Sequence, residues 1–250
     1  MRLRTIKLAE KTTQLENAPH RKGCLVCGEP LVYTEVSESR ECLICHKVFP
    51  SNTSCIHGHF ICDECHFAGS SDILSILLST TEQDPIVILQ QLMTIPTVHM
   101  HGPEHHILVP SVLLTAYKNC GGEVDLGLSL KETAIRGKQV PGGACGNWGM
   151  CGAAAGAGIY ASIVLHSTSL NKEIWPKPIL LTSRCLERIS EVGGPRCCKR
   201  TSYISIQTAI DFTAEYMGIS MPKSRVHCRY YNLNRECLKK ECPFFSKEGA

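Results

Sequence analysis

The chain has 250 residues, 43% of them hydrophobic and 20% charged, an ordinary globular composition that excludes a disordered polymer and a multi-span membrane protein. Its net charge of +3 is too small to imply a nucleic-acid partner by itself. Cysteine is the outlier at sixteen residues, and the opening stretch MRLRTIKLAEKTTQLENAPH is charged throughout, without the apolar core of a signal peptide. Together these predict a cytoplasmic protein in a reducing compartment, where cysteine pairs hold metal more often than each other.

Residues 1–20 read as a flexible leader. Residues 21–67 are dense in Cys, His and Gly and too poor in aliphatic residues for a core, which marks a small module folded around metal. Cys24 and Cys27, Cys42 and Cys45, and Cys62 and Cys65 form three CxxC pairs, with Cys55, His57 and His59 between the last two. A CxxC turn aims two thiolates at one ion, and tetrahedral zinc needs four ligands. Seven cysteines and one histidine, His57 or His59, supply eight ligands, enough for two closed zinc sites. Two pairings satisfy that count. In a sequential pairing Cys24, Cys27, Cys42 and Cys45 share one ion, and Cys55, Cys62, Cys65 and a histidine the other. In an interleaved pairing Cys42, Cys45, Cys62 and Cys65 hold one ion, and Cys24, Cys27, Cys55 and His59 the other. PLVYTEV, within this module, has the alternation of a strand.

From Ser71 onward the pattern turns helical, and residues 68–222 are expected to form a helical domain. SSDILSILLST offers Ser and Asp caps before an apolar run. In DPIVILQQLMTIP, Asp84 is the cap, Pro85 the first helical residue and Pro96 the stop. Pro103 opens the next helix, Gly121 and Gly122 close it, and Pro110 is a candidate kink. Further helices are expected over roughly 129–138, 150–166, 177–192 and 198–217, the last two ended by Gly193 and Gly218. Residues 223–250 form a short Cys-rich knuckle and tail. The fold class expected is therefore mainly α, with a zinc-ribbon or RING-like module in front. Trp148 to Leu165 is uncharged and approaches bilayer length, but its Gly and Ala content favours close packing, so no membrane association is expected.

A second constellation lies in the helical domain. HMHGPEHH gathers His99, His101, His105 and His106 with Glu104 around a helix start, where His101 and His105 are candidates for acid–base catalysis or metal binding. Cys145 and Cys151 are flanked by glycines, as backbone approaching a cluster or large ligand requires. Cys197 and Cys198 follow Pro195 at a helix N-terminus, where the dipole with Arg196, Lys199 and Arg200 is expected to lower a thiol pKa. These four cysteines are the candidate catalytic thiols and cofactor ligands, facing one shared site. Cys120 and Cys185, inside helical patterns, read as buried small hydrophobes. In the tail, Cys228, Cys237 and Cys242 are candidate metal ligands with His227 as a fourth, or with one iron of a four-iron cluster left open.

The stretch Cys42 to Cys65 resembles the first six ligands of a RING finger. The final CxxC is absent downstream, so Cys24 and Cys27 would have to replace it, a departure that argues against ubiquitin-ligase function. HMHGPEHH, VPGGACGNWGMCGAAAGAGI, GGPRCCKR and CRYYNLNRECLKKECPFF, behind CLVCGEPLVY and CLICHKVFPSNTSCIHGHFICDEC, resemble a cysteine-rich family of anaerobic bacteria and methanogenic archaea catalogued as a domain of unknown function. That resemblance runs from about Cys24 to Phe245 and implies an anaerobic setting without implying an activity. The glycine–cysteine segment also resembles redox proteins with a Gly-Cys-Gly-Ala helix start.

The leading expectation is a metal-binding protein with zinc in the head and an iron–sulfur or other thiolate-bound metal in the helical domain, acting on an unknown small molecule in sulfur transfer or redox chemistry. The alternative is a non-catalytic zinc scaffold that binds RNA or a protein through its zinc modules. GxxxxGK[ST], GxSxG and HExxH motifs are absent from the sequence, and GAGIYA lacks the strand and third glycine of a dinucleotide site.

Overall fold

The computed structural model describes residues 23–66 and 71–245. The expected leader, and the Ser and Asp caps of the first long helix, lie outside the described residues and side chains. The head is a hairpin of β1 (Leu31–Glu41) and β2 (Val48–Cys55), antiparallel from Leu31↔Cys55 to Glu41↔Val48 with an irregularity between Tyr33 and Glu38. This register sets the positions of the cysteines. Cys24 and Cys27 precede β1 and meet Cys55 at the open end, while Cys42 and Cys45 occupy the turn. The chain then returns to that turn, where the Cys62 amide donates to Cys42 Sγ at 3.3 Å, and enters α1 (Asp63–His66).

The remainder is helical: α2 (Ser71–Ser79), α3 (Pro85–Leu92), α4 (Glu104–Asn119), α5 (Leu126–Gly137), α6 (Ala144–Asn147), α7 (Gly152–Val164), α8 (Pro176–Val192) and α9 (Cys198–Met217), then a 3-10 turn at Lys239–Glu241. Local signals fix most of the boundaries. Asp84 Oδ1 accepts the Ile86 amide at 2.8 Å, Asp125 Oδ1 accepts that of Leu128 at 3.0 Å, and Gly218 ends α9 in the left-handed conformation. The other oxygen of Asp84 accepts the Ser224 amide at 2.8 Å, so this cap also ties down the start of the tail. No helix among the described residues is long and apolar enough to cross a membrane.

α4, α7 and α9 form the centre, α4 being buried along nearly its whole length. Gly152, Gly156 and Gly158 weaken α7 as an isolated helix, and packing explains them. A Cβ at Gly152 would strike the His106 ring, one at Gly156 would lie 2.8 Å from Pro110 Cδ and 2.9 Å from the His106 carbonyl, and one at Gly158 would strike Thr182. These glycines admit neighbouring helices, the close packing that the Gly and Ala content of Trp148 to Leu165 suggested. Gly156→Ala is accordingly expected to destabilise the chain by about 1–3 kcal/mol through overpacking, measured by urea unfolding followed by circular dichroism.

Candidate metal centres and the cavity they frame

The head brings two four-ligand groups together, each with all its ligand atoms within 4.8 Å of one another: Cys24, Cys27, Cys55 and His59, and Cys42, Cys45, Cys62 and Cys65. Both can hold a metal ion, and the grouping is the interleaved one. The sulfurs of Cys27 and Cys55 are 3.8 Å apart, and those of Cys45 and Cys62 are 3.7 Å apart. A tetrahedron with vertices about 2.3 Å from its centre, the zinc–sulfur distance, has an edge of about 3.8 Å. His59 is the histidine of the first group, its Nδ1 3.3 Å from Cys27 Sγ, whereas His57 offers only its backbone amide to Cys55 Sγ at 3.3 Å. Although burial alone would raise the Cys42 thiol, N–H groups of Cys45, Cys62 and Ile44 hold it down to about 6.

Several contacts dock the head on the body. The Gly142 amide donates to Asp63 Oδ2 at 2.8 Å, Asn52 Nδ2 to Asn147 Oδ1 at 3.0 Å, and the Arg196 guanidinium lies 5.4 Å from the Tyr33 ring centre. Between them lies an open cleft of about 750 Å3, with Tyr33, His59 and His66 on the head side and His101, His105, Cys151 and Cys198 on the body side. Burial pushes His105 down to about 3, and burial with the charge of Arg196 pushes His101 down to about 4, so both imidazoles are neutral near pH 7. His105 Nε2 is buried with no hydrogen-bond partner.

A third group able to hold a metal, His66, His99 and Glu104, borders the cavity through His66. Gly102 makes room for it, because a Cβ there would collide with the Glu104 carboxylate. Glu104 Oε1 accepts the His99 amide at 2.8 Å and lies 3.3 Å from His99 Nδ1, and Oε2 lies 3.8 Å from His66 Nδ1. Burial would raise this carboxyl, yet the two imidazoles and the nearby His105 hold it well below the usual range. Glu104 Oε2 and both Nδ1 atoms nevertheless have no hydrogen-bond partner. Three buried donor atoms converging without partners suit a cation. The sequence offered Glu104 and His99 in HMHGPEHH; His66 was missed, because its partners come from 33 and 38 residues downstream.

The four cysteines expected in one site, Cys145, Cys151, Cys197 and Cys198, all line this cavity. Of these, Cys145 is exposed on α6, Cys151 and Cys198 are half-buried, and the buried Cys197 sulfur also accepts the Arg200 amide at 3.5 Å. The expected lowering of the α9 thiols is also corrected: burial outweighs Arg196 and raises Cys198 to about 12, and burial raises Cys197 despite Arg200. In the tail, Cys228, Cys237 and Cys242 border one small chamber with Cys197, while His227 is exposed and absent from its lining. Cys185 is fully buried and Cys120 half-buried. All sixteen cysteines are free thiols.

Residues 73–245 match a family described as a family of unknown function, DUF5714. No curated protein and no solved structure matches the chain. The match begins after the head, so both head groups lie outside it, whereas His99, Glu104, Cys151, Cys198 and the tail cysteines lie within it.

Proposed function

The chain belongs to the DUF5714 family, and we propose that it is a metalloprotein of a reducing, oxygen-poor cytoplasm. In this reading zinc fills both head groups, the helical body carries an iron–sulfur or other thiolate-bound metal, and the cavity between them serves sulfur transfer or redox chemistry on a small molecule. One observation carries the reading. Head and body meet around about 750 Å3 of space whose wall joins the thiols of Cys145, Cys151, Cys197 and Cys198 to the neutral imidazoles of His101 and His105. That volume falls in the range of small-molecule sites, and neutral imidazoles are able to accept protons. A scaffold that only displays zinc knuckles has no use for such a cleft. A metal on His66, His99 and Glu104 would keep positions open toward a bound molecule, as reactive sites require and closed four-ligand sites do not.

Cys151 stands at the N-cap position of α7, where its sulfur is not tied up in a cap hydrogen bond, whereas burial raises the Cys198 thiol to about 12. This supports Cys151 as the sulfur-accepting thiol and Cys198 as its partner. The test is exposure of the anaerobic chain to inorganic polysulfide, followed by peptide mass spectrometry. A persulfide is expected on Cys151, and Cys151→Ser abolishes it. Labelling confined to exposed Cys145 would sink the sulfur-transfer reading.

A second reading rests on a different observation. Val26 and Ile56, beside one head group, and Leu43 and Ile44, beside the other, are exposed, and exposed apolar side chains at each end of the hairpin suit a protein partner. The head then docks a protein while the cavity does its own work.

A further inference from the structure

Deepening the thiolate-metal part of that reading, we propose that Cys197, Cys228, Cys237 and Cys242 are the complete ligand set of a four-iron, four-sulfide cluster, which staples the C-terminal tail to the start of α9.

Four observations support this. First, these cysteines border one chamber, walled otherwise mainly by Tyr203, Tyr230 and Phe244. Cys197 reaches it from the N-cap of α9, and the other three come from the tail. Second, three of the sulfurs already accept backbone amides: Cys197 from Arg200 at 3.5 Å, Cys228 from Tyr230 at 3.4 Å and Cys237 from Lys239 at 3.3 Å. The same contact recurs in the head, where Cys24 accepts from Val26 at 3.4 Å and Cys55 from His57 at 3.3 Å. Amides aimed at sulfur stabilise a metal-bound thiolate and have little to offer a neutral thiol.

Third, spacing separates this set from the head groups. Among the described residues, no three of these four sulfurs lie within 4.8 Å of one another, the limit that both head groups meet. A single zinc draws its ligands onto a small tetrahedron, whereas a cubane of iron and sulfide stands between its thiolates and holds them further apart. Fourth, the surroundings carry buried positive charge. Arg200 lines the chamber, donates to the carbonyls of Gly193 and Pro195 at 2.7 Å, and has a buried Nε with no hydrogen-bond partner. Lys199 is fully buried, with Nζ 3.1 Å from the Val98 carbonyl and 4.9 Å from the Tyr230 ring centre. Buried cations need anions, and a cluster ligated by four thiolates is anionic.

With four protein thiolates the set is closed. The open iron inferred from three tail cysteines alone is therefore filled by Cys197, and the cluster is not where a substrate binds.

The experiment is anaerobic reconstitution of the full chain with ferrous iron and sulfide, reading iron, sulfide, zinc and visible absorption. Wild type is expected to take up about four iron and four sulfide per chain. Cys197→Ser and Cys237→Ser are each expected to lose at least half of that iron together with the visible band, while Cys145→Ser keeps both. Far-ultraviolet circular dichroism checks folding, and Cys237→Ser, confined to the tail, keeps the test decisive if Cys197→Ser fails to fold. Iron retained in both folded variants but lost in Cys151→Ser overturns this ligand set and leaves a thiolate-bound metal in the body. Wild type that binds zinc alone, without sulfide, overturns the cluster itself, and the head zinc in the same samples reports separately on the proposal for the head.

Discussion

Cys42→Ser is expected to unfold the whole head while the helical body stays intact. Among the described head residues, the only apolar side chains that are buried are Cys24, Cys42, Cys55 and Cys62, so the metal ligands are the core. Binding of a structural zinc contributes on the order of 10–16 kcal/mol at neutral pH, far more than a two-stranded hairpin gains from its own packing. Because the two groups interleave, loss of the ion at the turn frees Cys62 and Cys65 and, with them, the return of the chain through Cys55 and His59. One wall of the cavity then goes with the head. Limited proteolysis is the readout, with cuts expected within residues 23–66 of the variant or of chelator-treated wild type, and a resistant body. A head that stays resistant without metal would contradict this.

Glu104→Leu is expected to cost about 3–5 kcal/mol of stability. Its carboxylate is buried among His66, His99 and His105 and is the main negative charge acting on buried Lys199, whose pKa burial lowers to about 8. Removing it takes away much of the negative charge acting on the ammonium and leaves the His99 amide without an acceptor. Adding Lys199→Met is expected to recover part of the loss, since the unpaired charge disappears with it, and a double-mutant cycle in urea isolates that coupling. A loss below about 1 kcal/mol, with no recovery in the double variant, would show that Glu104 does not balance Lys199.

Much of this was legible because its causes are local. The CxxC spacings named the head ligands, and Asp84–Pro85, Pro103 and Gly218 marked helix ends through caps and turns that act within a few residues. The choice between ligand pairings was not legible, since both satisfy the valence of two ions. It is made by the hairpin register, which sets Leu31 opposite Cys55 and so brings Cys24 and Cys27 to that end. The roles of His66 and Cys197 were hidden for a related reason: each sits beside one motif and serves another, across the head–body junction and across α9. The glycines of α7 were legible as close packing, but the neighbours they admit were not, since His106, Pro110 and Thr182 come from distant segments. The acidity expected of the α9 thiols failed on burial, which a sequence does not display beside three cationic residues.

In the proposed reading, metal organises this molecule. Native mass spectrometry of the full chain, purified without oxygen, tests it most directly. About two zinc ions per chain are expected from the two head groups, with iron and sulfide masses beyond them if the body holds its cluster. A chain whose native mass equals that of the bare polypeptide, with the head still folded, would contradict the account.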